Sequence, residues 1–539
     1  MVKRLQGIKP LFIVSFALAG LLVAGILLPA ASANPLIAQA SSYSTYFGGT
    51  DGEDATKVAF DNEGNTILIG QTPSDDFPIT TNALQDTYGG GDWDGFVAKF
   101  SSSGDLLYSS YLGGSGYEHV TSVNIDSGNN IVLTGTTGSS NFPTTLDALD
   151  STFGGLTDGF LMKIAPNGTL LYSTFIGGAG NDWIYGIQFD ANGNYMFSGW
   201  TDSTGLGTSG SLHQNPIGGT DGFIARVSSN GAALQMFSYL GGTGNDRIYV
   251  MDIDSEYNYV LAGITASSNY EVTGGAFQSI STASGDAVLT KINHDGNSLV
   301  YSTYLGGNDD DFGLGVAVDS ADNMIISGYT ESDDLAVLNA QQATFGGGIA
   351  DIYVAKFNET GGLQFLTYLG GIATDYCWDI AVDPSDNIII GGRTSSSNYP
   401  AHDGLNDTLA GSYDAVATKY APDGQTIIAS SFVGGSGSDI GEGIAVDGDG
   451  NVVLSGRTVS ENFPVTAGAY QEEIGGSSDV FVCHIAFSGY VTTTTTTTNI
   501  STTITTDGTG LPIDTTTLLL IGAGGIAVVI ILVIFLKKK

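Results

Sequence analysis

One motif returns along this chain at an almost constant step. Leu-Gly-Gly, or a close variant, recurs with its first glycine at Gly48, Gly113, Gly177, Gly241, Gly306, Gly370 and Gly434, a spacing of 64 or 65 residues each time. Self-similarity at a fixed period means one supersecondary unit copied in a row. The repeat therefore overrides the three or four domains that 539 residues would suggest at about 150 residues each. Seven copies of one unit can form one body.

The fifth unit shows what is copied. Gly313-Leu-Gly-Val-Ala-Val-Asp319 is short, β-branched and glycine-spaced, and Asp319 to Asn323 makes a polar turn. Met324 to Gly328 runs back, and a long segment follows to Ile349. Asp351 to Phe357 is a third strand, Asn358 to Gly362 a turn, and Leu363 to Leu369 a fourth strand. Length, alternation and turn chemistry make these strands. Four antiparallel strands repeated in a row describe a β-propeller, because each blade has two apolar faces that only ringed neighbours cover. The seventh unit runs out after its third strand, at Val480 to Phe487. The missing strand stands before the first unit, as Tyr43 to Phe47. It is expected to complete the last blade and close the ring, which removes sheet edges.

The two ends of the chain differ from this array. Residues 1–33 read as a secretory signal, with basic Lys3, Arg4 and Lys9, an apolar run from Leu11 to Leu28, and the small-residue pattern Ala31-Ser32-Ala33. The propeller is expected over residues 41–490, and a Thr-rich stalk over 491–517, too poor in apolar residues to fold. Leu518 to Leu536 is an uncharged apolar run that predicts a transmembrane helix, and Lys537 to Lys539 a cytoplasmic tail. The expected fold class is therefore all-β, a seven-bladed β-propeller of four-stranded antiparallel blades closed by an N-terminal strand, plus one C-terminal transmembrane helix. The expected location is the cell membrane, single-pass, with the propeller outside. Asn167, Asn358, Asn406 and Asn499 each open an N-glycosylation tripeptide.

Charge narrows the function classes. The formal net charge is −39, and only ten of the 16 basic residues lie between Asn34 and Tyr490. Six of those, Lys99, Lys163, Arg226, Lys291, Lys356 and Lys419, occupy one repeated position. Such a surface excludes nucleic acid, which needs clustered Lys and Arg. It suits divalent cations or basic partners. The two cysteines, Cys377 and Cys483, fall at unrelated repeat positions and read as buried free thiols.

Three acidic positions recur. Glu53, Glu118, Asp182, Asp246, Asp311, Asp375 and Asp439 follow the leading glycine; Asp61, Asp126, Asp190, Asp254, Asp319, Asp383 and Asp447 open the first turn; Asp94, Asp158, Asp221, Asp286, Asp351, Asp414 and Asp479 open the third strand. Strand order puts the first and third sets on the face where the chain enters each blade, here called the top face, and the second set on the bottom face. Sevenfold carboxylates read as structural acceptors of backbone N–H groups. The alternative chemistry is calcium, for which Asp447, Asp449 and Asn451 form the nearest candidate loop, although it lacks the bidentate Glu of an EF-hand. Ligand binding is expected where units differ. The residue after the first acidic set is Asp54, His119, Trp183, Arg247, Phe312, Tyr376 or Ile440. His119, Trp183, Arg247 and Tyr376, with Trp93 before a third strand, are the candidate ligand-binding residues on the loop-rich top face. No Gly-x-Ser-x-Gly elbow is present and the five histidines share no unit position, so no catalytic motif is found.

The Tyr-Ser-Thr-Tyr-Leu-Gly-Gly type segment, the Asp61 to Asn65 and Asp190 to Asn194 turns, and Asn-Phe-Pro at Asn141 to Pro143 and Asn462 to Pro464 resemble the SBBP family of β-propeller repeats. The resemblance runs from about Ser42 to Phe487 and implies the fold, but no reaction. The arrangement of signal, propeller, stalk and Lys-ended span also looks like archaeal cell-surface proteins. The expected function is a surface binding, adhesion or envelope-structural module, with envelope glycans or surface proteins as partners. The alternatives are an extracellular carbohydrate-active enzyme, which needs an asymmetric pocket with two isolated carboxylates, and a calcium-dependent surface lattice.

Overall fold

The computed structural model describes residues 43–487. They form seven four-stranded antiparallel sheets, the blades of a propeller. Blade 1 is built from Asp54–Phe60, Thr66–Thr72, Asp94–Phe100 and Leu106–Leu112, and the other blades repeat this order. First strands line the axis and fourth strands form the rim. The fold class is corrected in one respect. No helix occurs among the described residues, and none there is long and apolar enough to cross a membrane. Over the described residues the fold class is all-β without a helical component. The expected helix at 518–536 lies outside the described residues, as do the signal at 1–33, the stalk at 491–517, the Lys tail at 537–539 and Asn499.

The ring closes as the sequence predicts. Ser44–Phe47 is the outermost strand of blade 7, paired antiparallel with Asp479–Ile485 in the register Ser44 to Cys483 and Phe47 to Val480. Tyr46 and Phe47 are fully buried there. The Tyr46 hydroxyl donates to the Ser460 carbonyl at 2.7 Å and accepts the Phe463 N–H at 3.0 Å. Tyr111, Tyr304 and Tyr368 make the matching donation in blades 1, 4 and 5. The N-terminal strand thus imports the whole contact set of a fourth strand. Between blades lie seven apolar clusters; one joins Phe47 and Val480 of blade 7 to Phe96 and Phe100 of blade 1.

The acidic sets are built into this frame. At every blade junction the leading glycine packs between one carboxylate of the first set and one of the third. A methyl group on Gly113 would stand 2.7 Å from Asp94 Oδ1 and 2.7 Å from Glu118 Oε2. Each pair is held by local donors: Thr72 and Ser74 hydroxyls to Glu53 at 2.8 and 2.5 Å, Gly89 N–H and Gln85 Nε2 to Asp94 at 2.5 and 3.2 Å. Burial pushes Glu53, Asp94, Asp311 and Asp351 up to about 7, and Asp158 and Asp414 up to about 6, with the facing carboxylate adding to the rise.

The turn set behaves in the opposite way. Asp61 Oδ1 accepts the N–H groups of Glu63 and Asn65, both at 2.9 Å, and Oδ2 meets Lys99 Nζ at 2.6 Å. The same ion pair recurs as Lys163–Asp126, Lys291–Asp254, Lys356–Asp319 and Lys419–Asp383, each at 2.7 Å, which accounts for the repeated basic position. In blade 3 the cation is Arg226, whose Nη1 reaches His294, and His294 Nε2 meets Asp190 at 3.2 Å. Burial raises these turn carboxyls, but the donors outweigh it and leave them below the ordinary range. Cys377 and Cys483 are buried free thiols, which burial pushes up to about 12.

Two predictions follow from this frame. Deleting residues 41–47 removes a buried Phe and two buried Tyr and opens an edge on blade 7. It is expected to cost at least the ~3–5 kcal/mol of truncating one buried Phe, while Tyr46→Phe alone costs ~1–3 kcal/mol through two orphaned backbone groups. Thermal melting checks both, and an unchanged melting temperature in the deletion contradicts the closure. The second concerns pH. The raised junction carboxyls keep protons that the unfolded chain releases above about pH 4, so stability falls as pH rises from about 4 to about 7. The depressed turn carboxyls act the other way, and their contribution is lost as pH falls below about 4. Melting temperature is expected to be higher at pH 5 than at pH 8 and to drop again below pH 4. A steady rise from pH 5 to pH 8 contradicts the assignment.

Candidate functional site

The first strand of every blade carries the same irregularity. Pairing with the second strand slips by one residue at Ala55/Lys57, Val120/Ser122, Ile184/Gly186, Ile248/Val250, Gly313/Gly315, Cys377/Asp379 and Gly441/Gly443. Each slip is a β-bulge, which re-aims one side chain. Glycine in the second strand makes room for it: a methyl at Gly70, Gly135, Gly199, Gly263, Gly328, Gly392 or Gly456 would collide with the carbonyl just before the bulge. The seven bulged residues are Thr56, Thr121, Tyr185, Tyr249, Leu314, Trp378 and Glu442, and all of them line one cavity of about 430 Å³ on the top half of the axis. That volume lies in the range of small-ligand pockets, about 300–1,000 Å³.

The cavity has unlike sides. Thr56 and Thr121 are tied down, since their hydroxyls donate to the Val120 carbonyl at 2.5 Å and to the Ile184 carbonyl. Blades 3 to 6 supply an aromatic arc. Trp183 stacks on Tyr185 and Trp200 with centroids 5.9 and 5.5 Å apart, Phe312 stacks on Tyr329 at 4.5 Å, and Tyr376 meets Tyr329 edge-on at 4.6 Å. Two arginines lie on these rings: Arg247 is 5.0 Å from Trp200, and Arg393 is 4.8 Å from both Tyr376 and Tyr413. Facing the arc are Asp54 and Glu442, with Arg457 Nε 3.7 Å from Asp54 Oδ1. Burial and the neighbouring Asp54 raise Glu442 well above the usual carboxylate range, against the pull of Arg457 and Arg393. Burial also raises Asp54, opposed by Arg457. The pair therefore retains a proton under conditions where isolated carboxylates are ionised.

Below this cavity Lys57 reaches from blade 1 to Asp379 of blade 6 at 2.5 Å. A second cavity of about 270 Å³ follows, with Lys57 and Tyr185 shared between the two. Its polar side chains satisfy one another across blades: Asn124 donates to Gln188 at 2.8 Å, Gln188 to Asp252 at 3.1 Å, and Asp252 accepts the Val318 N–H at 2.9 Å. The lower half is closed in on itself. The upper half keeps its polar groups open.

The structure brings several candidate residues together here. His119 lines the upper cavity, edge-on to Trp183 at 5.8 Å, and burial pushes its imidazole down to about 4, so it is neutral at physiological pH. Trp183, Arg247 and Tyr376 belong to the arc behind the lining. Trp93 stands apart, half-buried before the third strand of blade 1, where its carbonyl accepts the Glu118 N–H at 2.9 Å. At the calcium candidate, Asp447 Oδ1 accepts the N–H groups of Asp449 and Asn451 at 2.9 and 2.8 Å, and Oδ2 accepts Asn451 Nδ2 at 2.7 Å. That carboxylate serves its own turn, and among the described residues no three or more His, Cys, Asp or Glu side chains are grouped to hold a metal. Asn167 is exposed in its turn; Asn358 and Asn406 are half-buried and hydrogen-bonded to Thr360 and Thr408. The bulge residues were missed from sequence. Their signal was the glycine at one fixed place in each second strand.

Comparison with known proteins agrees with this architecture. Residues 364–400, which run from the fourth strand of blade 5 through the second strand of blade 6, match the SBBP β-propeller repeat, so the chain carries a repeat of this family. The chain is 21% identical over 476 residues to an uncharacterized WD repeat-containing protein of Acanthamoeba polyphaga mimivirus, with 74% of this chain and 30% of that protein covered. The chain thus spans under a third of the length of that relative. Among solved structures, the WD40 propeller domain of Doa1 is similar at 11% identity, covering 82% of this chain and 97% of that one, with a TM-score of 0.41. A protein of unknown function from Dyadobacter fermentans is similar at 11% identity, covering 83% and 98%, with a TM-score of 0.35.

Proposed function

We propose that this chain is an extracellular binding module whose ligand is taken at the top mouth of the propeller axis. One observation carries the reading. The backbone of the bulge is repeated in all seven blades, while its side chain changes from Thr to Tyr, Leu, Trp or Glu. Structural residues in this chain are copied; these are not. Variation at a position aimed into a cavity is what ligand selection requires. The export signal read at residues 1–33 and the acidic, salt-tolerant composition support a role outside the cell, in adhesion or in the envelope.

A second reading has its own observation. Asp54 and Glu442 are a carboxyl pair in an asymmetric pocket, and a neutral carboxyl beside an ionised one is the arrangement of an acid–base dyad, which a carbohydrate-active enzyme would use on its substrate. Under it, Glu442 is the proton donor and Asp54 the base or nucleophile.

Binding of the labelled protein to isolated cell envelopes separates these readings. Saturable binding is expected, weakened about tenfold or more by Trp378→Ala, since a central aromatic anchor contributes ~2 kcal/mol or more. Undiminished binding by Trp378→Ala contradicts the axial site. Under the second reading Glu442→Gln abolishes release of reducing sugar from envelope glycans and leaves binding in place.

A further inference from the structure

The cations of this chain are distributed in a telling way. Of the ten basic residues between Asn34 and Tyr490, six sit at the repeated turn position. The remaining four are Lys57, Arg247, Arg393 and Arg457, and all four lie on first or second strands. Lys57 is neutralised by Asp379, and Arg457 stands beside Asp54. Arg247 and Arg393 have no carboxylate within ion-pair distance among the described residues, in a chain with 55 acidic side chains. They are held by ring faces instead. Arg393 lies 4.8 Å from Tyr376, 4.8 Å from Tyr413 and 6.0 Å from Trp378. A guanidinium held by its faces keeps its N–H edge free for a bidentate anion.

Four of the buried polar atoms that lack a hydrogen-bond partner stand around this cavity, the others being spread through the blades. Trp378 Nε1, Arg393 Nε, Glu442 Oε2 and Asp54 Oδ1 are enclosed by protein and have no hydrogen-bond partner, Asp54 Oδ1 having only the longer ion pair to Arg457. Two of them are donors and two are carboxylate oxygens. Beside Trp378 and Arg393, on the neighbouring blade 5, stands the stacked Phe312–Tyr329 face. A buried polar group without a partner costs free energy, so such a set is the imprint of a ligand that supplies the partners. The ligand must offer donors and acceptors at close spacing, an apolar face for the rings, and an anionic group for the arginine. A flat aromatic acid would satisfy the rings and the arginine and leave the carboxylates unmet. A simple anion would satisfy the arginine alone.

We propose that the upper axial cavity binds an acidic saccharide of the uronate type. The sugar ring packs on the Phe312–Tyr329 face, its hydroxyls bond to Asp54, Glu442 and Trp378 Nε1, and its carboxylate reaches past the lining to Arg393, 6.0 Å from the Trp378 ring. This rests on the reading of the axial mouth as the ligand site and names the class of ligand for it. Arg247 and Arg393, the two cations without a carboxylate partner, add positive potential at a mouth surrounded by an acidic surface, and so direct an anion to the axis rather than to the rim.

Calorimetric titration of the full-length protein with D-glucuronate, D-glucose and acetate at fixed ionic strength tests the proposal, with tryptophan fluorescence as a second readout because Trp183, Trp200 and Trp378 border the site. Glucuronate is expected to saturate and to change the fluorescence, with glucose binding at least about tenfold more weakly and acetate not binding at the same concentrations. Arg393→Gln is expected to make the two sugars bind alike. Equal binding of glucose and glucuronate by the unaltered protein overturns the proposal, and so does binding of neither. Should Arg393→Gln fail to fold, the preference of the unaltered protein decides by itself. If neither sugar binds while Trp378→Ala still loses envelope binding, the ligand class is wrong and the axial site stands; if Trp378→Ala keeps envelope binding, both fall.

Discussion

Ring closure is the constraint on which this molecule depends. A four-stranded blade has two apolar faces, and each is covered only by a neighbour. In an open row, the outer faces of blades 1 and 7 would meet water. The N-terminal strand of Ser44–Phe47 prevents this by joining the last blade, more than 400 residues away in sequence. The price is high contact order, because the last blade is completed only when both ends of the array have been made. Everything nearer the axis, including the cavity, inherits its rigidity from that joint.

Within the closed ring the chain divides its positions into two kinds. Copied positions hold the frame: the junction carboxylates around the leading glycine, the Lys–Asp pairs under the bottom turns, and the glycine of each second strand. Their chemistry is spent locally, since Thr72 and Ser74 bond Glu53 and Lys99 bonds Asp61. Varied positions stand on the bulge and project to the axis. The frame can thus be repeated without change while the axis acquires an aromatic arc on one side and the Asp54–Glu442 pair on the other. A site on the axis of a sevenfold scaffold is asymmetric only because the copies have diverged there.

The sequence made the frame legible because its signals are local. The third and fourth strands expected in the fifth unit, Asp351 to Phe357 and Leu363 to Leu369, are the strands found. The first strand begins two residues earlier than expected, at Asp311, because Phe312 continues the pairing before the bulge at Gly313/Gly315. The site was only partly legible. His119 was singled out because units differ at its position, and it does line the cavity. Trp378 and Glu442 lie two residues further on, at a position that no repeated residue type marks out in the sequence. A bulge breaks the alternation, and its trace in sequence is a glycine on the partner strand, which looks like one more turn-forming glycine in a chain with 78 of them. Trp93 is a candidate through its place just before a third strand on the loop-rich face, and nothing local ties it to the axis.

The central claim is that the frame and the ligand site are separable, with binding carried by the seven bulge positions. The most direct measurement is on a variant that gives every bulge the Thr already present in blades 1 and 2, by Tyr185→Thr, Tyr249→Thr, Leu314→Thr, Trp378→Thr and Glu442→Thr. The account predicts that this protein keeps the β-sheet circular dichroism and cooperative melting of the parent and loses saturable binding to cell envelopes. A variant that folds and still binds with the parent's affinity would contradict it.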